Sequence, residues 1–220
     1  MNLILIAAPA AGKGTIAQIL NDKFGIEQVS AGELLRAVDR NTDLGKKISE
    51  IQEKGLLVDN KITAELMKNR ILELHSAKGV VLDGYPRLME QVYDLEEIQK
   101  EINLGIDYVI YLNVKYEDAY KRTLGRRICT NCKKSYNVLT GVNTPKIDEE
   151  CDDCHIKLVK RSDDNETSLK TRFEFFKEKT LPVVEHYRRL GKLIEIDATK
   201  DIDEICKRLF ESLGVVNDKN

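Results

Sequence analysis

An α/β fold, with a parallel sheet covered by helices on both faces, is predicted by three features of this sequence. Short apolar runs alternate with helical patterns along most of the chain. The first run, Leu3 to Ile6, leads straight into a Gly-Lys-Gly-Thr turn that opens a helix. Two polar segments break the alternation, and both fall at the end of the sheet where strands finish and ligands bind. A chain of 220 residues is long enough for one good core with small insertions.

Taken in order, Asn2 to Ala7 reads as a buried strand and Lys13 to Lys23 as the helix after it. Ile26 to Val29, Gly79 to Leu82, Tyr108 to Val114 and Lys192 to Ile196 supply four more strands, making five. Amphipathic segments separate them: Ile62 to Leu74, Gln91 to Ile102, Tyr116 to Leu124, Ser168 to Leu190 and Ile202 to Leu213. Leu169, Phe173, Phe176 and Leu181 give the fourth an apolar stripe, read as core packing. Ser30 to Asp59 holds helical pieces without a strand signal. Arg126 to Asp164 is rich in Cys, Asn, Asp, Lys and Thr and has little apolar periodicity. The tail Asn217 to Asn220 is expected to fray.

Composition narrows the function classes. Apolar residues make up 42% and charged residues 33%, as in a soluble globular protein. The net charge of −2 gives no global attraction to nucleic acid or membranes, so an anion site must be built locally. The N-terminal apolar run lacks a basic leader and a cleavage pattern, so it reads as a core strand. No apolar stretch approaches membrane-spanning length, and a cytoplasmic location is expected.

Ala8 to Thr15 is close to a phosphate-binding loop. Lys13 would meet phosphate as a point charge, and the Thr15 hydroxyl would face Mg²⁺ or a phosphate oxygen. Gly12 and Gly14 keep Cβ atoms away from a backbone that hugs the anion. The usual pattern begins with Gly where this chain has Ala7. If Ala7 or Ala10 adopts a left-handed conformation, each costs about 1–2 kcal/mol. An ordinary strand-to-helix turn with a surface lysine is the alternative.

Cys129-x-x-Cys132 and Cys151-x-x-Cys154, eighteen residues apart, have the spacing of two metal knuckles. Four thiolates form a closed tetrahedral set suited to structural Zn²⁺, with no open position for catalysis. Free thiols or two disulfides are the alternatives, and iron is the competing metal. His155 is read as solvent-exposed, Cys206 as a small packed residue, and His75 and His186 have no assigned role.

Arg36, Arg87, Arg126, Arg127, Arg161 and Arg172 flank the expected ligand end, where phosphoryl transfer needs bidentate donors. Asp83 follows a strand in Leu-Asp-Gly and is placed to hold Mg²⁺ through water.

Five motifs together carry a resemblance: Gly12-Lys13-Gly14-Thr15, Ser30-Ala31-Gly32-Glu33-Leu34-Leu35-Arg36, Asp83-Gly84-Tyr85-Pro86-Arg87, Gly125-Arg126-Arg127 and Arg161-x-Asp163-Asp164. The set resembles the nucleoside monophosphate kinases, above all the bacterial-type adenylate kinases with a long zinc-binding lid. The resemblance implies a P-loop three-layer α/β/α fold around a five-stranded parallel sheet. It divides the chain into a core (1–29, 60–125 and 165–220), a helical monophosphate-binding insertion (30–59) and a zinc-bearing lid (126–164).

The same resemblance implies the roles. ATP would lie on Ala10, Ala11, Gly12, Lys13, Gly14 and Thr15, with Arg126, Ser135, Tyr136 and Lys200. AMP would meet Ala31, Arg36, Leu56, Leu57, Val58, Gly84, Arg87, Gln91, Arg161 and Arg172, with Gln91 reading the adenine edge. Lys13, Asp83, Arg87, Arg122, Arg126, Arg161 and Arg172 would surround the transferred phosphoryl group. Asp163 and Asp164 would pair with these arginines or help organise closure. The implied cofactors are Mg²⁺ with ATP and a structural Zn²⁺ on Cys129, Cys132, Cys151 and Cys154; the implied partners are ATP, AMP and ADP, and the implied state is a monomer.

Two departures keep other readings open. The family usually has Gly at the positions of Ala7 and Ala10. Ala31 stands where adenylate members usually have Thr, and Ser-Ala-Gly-Glu-Leu-Leu-Arg resembles instead the UMP/CMP kinases. Gln91 and the long lid favour AMP. A UMP/CMP kinase, or an inactive nucleotide-binding or zinc-ribbon interaction protein, are the alternatives.

Overall fold

The computed structural model describes residues 1–74 and 78–214. His75 and the tail at Asn217 to Asn220 lie outside the described residues.

Five strands form one parallel sheet: β1 (Leu3–Ala7), β2 (Glu27–Ser30), β3 (Val80–Asp83), β4 (Tyr108–Asn113) and, last in the chain, Leu193–Asp197. Their order across the sheet is second, third, first, fourth, last. β1 is therefore central and reads as an uninterrupted apolar run, because both of its faces are covered. Register aligns Leu5 with Asp83 and Ala7 with Leu112, so the turn after β1 and the carboxylate ending β3 share one edge.

Helices α1 (Lys13–Phe24), α4 (Asn60–Glu73), α5 (Met89–Ile102) and α6 (Tyr116–Gly125) connect the strands. They bury one continuous core that includes Leu20, Met67, Leu82, Leu95 and Val184. Between β2 and α4 stand α2 (Ala31–Ala37) and α3 (Asp43–Glu53), with a satellite cluster of Leu35, Ile48 and Val58. After α6 the chain forms a small antiparallel pair, β5 (Arg126–Ile128) and β6 (Ser135–Asn137). Its interior is only Cys129, Tyr136, Cys151 and Leu158. So little apolar area cannot order a segment of this length, and a further constraint is needed.

The expected single helix from Ser168 to Leu190 is interrupted. It runs as α7 (Glu166–Phe175), one π-type turn (Phe176–Thr180) and α8 (Leu181–Arg189), before β7 (Leu193–Asp197) and α9 (Ile202–Ser212). Pro182 has no N–H to return to the Glu178 carbonyl, and the widened turn precedes it. The consequence is functional: the Thr180 hydroxyl donates to the Arg87 carbonyl at 3.0 Å.

Gly55 joins the α2–α3 insertion to α7. Its φ is +74°, and a Cβ there would lie 2.8 Å from the Ser168 carbonyl oxygen and 2.9 Å from Ser168 Oγ. Gly191 has a similar φ of +68° with nothing within 4 Å. Gly191→Ala should therefore cost about 1 kcal/mol, from backbone conformation alone. Gly55→Ala should cost at least about twice that, because α7 or the insertion must also move. Urea unfolding of the two variants side by side checks this; equal losses would mean that the contact with α7 carries no energy.

Candidate active site

The edge shared by β1 and β3 opens into a cleft. Helix α1 begins at Lys13 behind Gly12, whose φ is +92°. It has no side-chain cap and no acidic residue in its first turn, so its leading N–H groups stay available to an anion. Open space lies beside both Gly12 and Gly14, where a Cβ would meet nothing within 4 Å. Ala11 is buried beneath the loop, while Thr15 is exposed at the helix start.

Lys13 Nζ lies 3.9 Å from Asp83 Oδ1. Burial brings the Lys13 pKa down to about 8, against the opposing pull of Asp83. Asp83 is itself fixed: its Oδ2 accepts from Gln28 Nε2 at 3.0 Å and from Ser30 Oγ at 3.4 Å. Its Oδ1 is buried and takes no hydrogen bond among the described residues. A buried carboxylate oxygen with spare capacity fits a Mg²⁺-bound water.

The segment after β3 explains the Asp-Gly-Tyr-Pro-Arg motif physically. Gly84 has φ +76°, and a Cβ there would lie 2.8 Å from Arg87 Nη2. Arg87 Nε donates to the Gly84 carbonyl at 2.9 Å, and the Arg87 amide donates to Gln91 Oε1 at 2.7 Å. With Thr180 on its carbonyl, Arg87 is held at three points before any ligand arrives. Burial lowers its pKa from the usual arginine range. The backbone donor also sets the Gln91 amide: Oε1 must face the Arg87 N–H. Gln91 is 3% exposed and lines the cleft, with Ala31, Leu56, Leu57 and Val58 beyond it.

Six cationic side chains line this cleft: Lys13, Arg36, Arg87, Arg126, Arg161 and Arg172. Asp164 forks Arg126, with Arg126 Nε donating to Oδ2 at 2.7 Å and Nη2 to Oδ1. Burial works against the Arg126 charge, but the Asp164 fork outweighs it and the net pKa shift is upward. Asp163 receives Arg172 Nη2; burial opposes the Asp163 charge, yet Arg172 holds its pKa below the usual carboxylate range. The pairing of Asp163 and Asp164 with arginines is thus present. Arg36, Arg87 and Arg161 have no ion-pair partner among the described residues. Burial, followed by repulsion from Arg126 and Arg36, lowers Arg161 to about 10. Six cations against three carboxylates, in a chain of net charge −2, make a site for a polyanion.

The family model for adenylate kinase matches residues 5–192. The chain belongs to the adenylate kinase family. It is 38% identical to an adenylate kinase of Ruminiclostridium cellulolyticum, over 98% of this chain and 100% of the relative. It is 41% identical to one of Kosmotoga olearia, over 97% and 99%. With one of Methanosarcina barkeri the identity is 42%, over 95% and 96%.

Eight residues expected at the nucleotides of an adenylate kinase stand outside the cleft lining: Ala11, Gly12, Gly14 and Thr15 of the phosphate loop, and Arg122, Ser135, Tyr136 and Lys200 away from it. Lys200 is exposed and lies 3.7 Å from Glu204. Arg122 is half-buried on α6, where its carbonyl accepts from Asn137 Nδ2. Ser135 is exposed, and Tyr136 points into the lid at 1% exposure. Adjacent residues on β6 face opposite ways, so the two cannot share a surface. Thr180, Gln28 and the π-type turn fix Arg87 and Asp83 but carry no motif in the sequence.

In the lid, the four cysteine Sγ atoms lie within 4.8 Å of one another, and none is in a disulfide. Cys132 and Cys151 are 3.7 Å apart. A tetrahedral zinc site with Zn–S near 2.3 Å has sulfur–sulfur edges of ~3.8 Å, so the donor set fits. His155 is exposed and sits 3.1 Å from Glu150 instead.

The two loop alanines separate in the structure. Ala10 takes φ +59°, whereas Ala7 ends β1 in the extended conformation, paired with Leu112. Ala10→Gly should raise stability by about 0.5–1 kcal/mol, once the greater freedom of the unfolded glycine is subtracted. Ala7→Gly should lower it by a similar amount, as glycine does in a strand interior. Thermal melts of both variants read out the opposite signs; a loss on Ala10→Gly would contradict the strain at that position.

Proposed function

We propose that the protein catalyses reversible, Mg²⁺-dependent phosphoryl transfer from ATP to AMP, giving two ADP, and so serves nucleotide homeostasis in the cytoplasm as a monomer. The observation that carries this reading is the cleft with three surplus positive charges and a fixed Gln91 amide at one end. No helix among the described residues is long and apolar enough to cross a membrane. The net charge of −2 gives nucleic acid no purchase.

ATP phosphates sit on the loop from Ala10 to Thr15, against the α1 N-terminus and Lys13. The AMP phosphate is clamped by Arg36 and Arg87, the first without an ion-pair partner among the described residues and the second held at its backbone. Arg126, Arg161 and Arg172 converge on the transferred group and offset the charge that spreads over its oxygens. Mg²⁺, when bound with ATP, supplies further charge neutralisation, and Asp83 would hold it through water. The attacking oxygen of AMP is already ionised, so no general base is needed. The segment from 126 to 164 closes over ATP and excludes water, which competes as nucleophile. Four thiolates on a structural zinc keep that thin segment rigid.

Base choice follows from Gln91. With Oε1 turned to the Arg87 amide, its Nε2 donor is left for the base. Adenine N1 accepts a hydrogen bond; uracil N3–H donates and would meet donor with donor. Small Ala31, 4% exposed beside the cleft, leaves room for a purine. The donor–donor clash disfavours UMP; cytosine N3 accepts as adenine N1 does, so it is the room beside Ala31 that favours AMP over CMP. Six cations held at one edge argue against an inactive binding protein, in which nothing requires their convergence.

Purified protein mixed with MgATP and each monophosphate in turn should form diphosphate fastest with AMP. Turnover with none of them would sink the enzyme reading, and UMP or CMP outrunning AMP would overturn the substrate. Arg87→Ala should lower turnover by ~10³–10⁵, the range for arginines that stabilise a transferring phosphoryl group. An unchanged rate removes Arg87 from the site.

ATP affinity should also depend on pH. Phosphate favours charged Lys13, so its pKa rises on binding; above about 8 the free protein must take up a proton to bind. Affinity therefore falls by up to about tenfold per pH unit above that point. Titration calorimetry from pH 7 to 10 measures the slope, and Lys13→Gln should flatten it; the same slope in both proteins would assign it to another group.

A further inference from the structure

The lid interior contains a hydroxyl that the nucleotide cleft does not use. The Tyr136 oxygen accepts the Asp152 amide N–H at 2.9 Å and lies 3.4 Å from Cys151 Sγ. Donor accounting fixes what it does there. A phenol has one proton to give, and the Asp152 amide takes up accepting capacity only. A cysteine that ligates a metal is a thiolate with no proton of its own. With the quartet loaded, Tyr136 must therefore be the donor and Cys151 the acceptor. At Cys154 the direction needs no argument: Asn131 Nδ2 lies 3.4 Å from the sulfur and can only donate.

Burial explains why the phenol is needed. Four thiolates around a divalent cation carry a net charge of −2, concentrated on sulfur. Cys132 is exposed and can share its charge with water. Cys151 is 0% exposed and cannot. Hydrogen bonds from neutral groups are what remain to stabilise that sulfur: the Asp153 and Cys154 amides and, from a side chain, the Tyr136 phenol.

We propose that Tyr136 is a fifth, outer member of the metal site, a positioning residue whose hydroxyl donates to the Cys151 thiolate and sets both its orientation and its donor strength. The proposal rests on the reading that the quartet holds zinc. It reassigns Tyr136 from a surface over ATP to the support of the lid's own metal. The aromatic ring remains a packing element against Leu158, so Tyr136→Phe removes the hydroxyl and leaves the ring.

Two readouts test this. In competition with a chromophoric chelator, Tyr136→Phe should bind Zn²⁺ about 10–100-fold more weakly than the wild type, the usual loss for an outer-shell partner. In the Co²⁺-loaded protein, the sulfur-to-cobalt charge-transfer band should move to longer wavelength, because a thiolate relieved of its donor gives up electrons more readily. Weaker binding with an unmoved band would make Tyr136 a packing residue only and overturn the proposal, as would unchanged affinity. Wild type that takes up no zinc would bring down the metal reading and this one together. Should Tyr136→Phe not fold, 3-fluorotyrosine labelling of the wild type replaces it: the more acidic phenol should shift the band to shorter wavelength, and no shift would overturn the proposal.

Discussion

Like-charge crowding is the constraint on which this structure depends. Six cationic side chains share one cleft, and left alone they would repel one another and lose solvation. The fold offsets this unevenly. Asp163 and Asp164 neutralise Arg172 and Arg126 at the root of the lid, and Asp83 stands beside Lys13. Arg36, Arg87 and Arg161 remain without ion-pair partners among the described residues. The lowered pKa values of Lys13, Arg87 and Arg161 express the same imbalance, and a nucleotide's phosphates are the natural remedy for it. In this sense the protein stores unfavourable electrostatics that substrate relieves.

Holding such a site rigid requires support that is not itself charged. Around Arg87 the support is backbone: the Gly84 carbonyl on its Nε, Gln91 on its amide and Thr180 on its carbonyl. Around Asp83 it is Gln28 and Ser30, from the neighbouring strand. The π-type turn ahead of Pro182 brings Thr180 into this network, so a local irregularity in a long helix becomes part of the site. The insertion is seated differently, through Gly55 lying directly on α7.

The lid follows another logic. Four buried residues form its interior, two of them cysteines that also belong to the metal quartet, so its packing and its metal site are one object. Tyr136 belongs to that object as well. Its neighbour Ser135 faces outward, and the strand's alternation keeps the two apart. A segment held by a metal instead of a core would be rigid while touching the rest of the protein at few points, as the proposed closure over ATP would require.

Much of this was legible in the residues. Alternating apolar runs and helical patterns specify a parallel sheet because the central runs are buried on both faces. The cysteine spacing specifies a four-sulfur site because knuckle geometry is local. Glycine at positions 12 and 84 marks places where a backbone or a guanidinium needs room. The sequence alone could not separate Ala7 from Ala10: one ends a strand and the other turns left-handed, and that depends on where β1 stops pairing with β4. It could not turn Tyr136 inward, since pleat direction is set by the β5–β6 register. Nor could it place Thr180 on Arg87, 93 residues away in the chain. Local chemistry and period are written in the sequence; which partner each polar group finds is decided only when distant segments pack, because buried hydrogen bonds are satisfied by position in space.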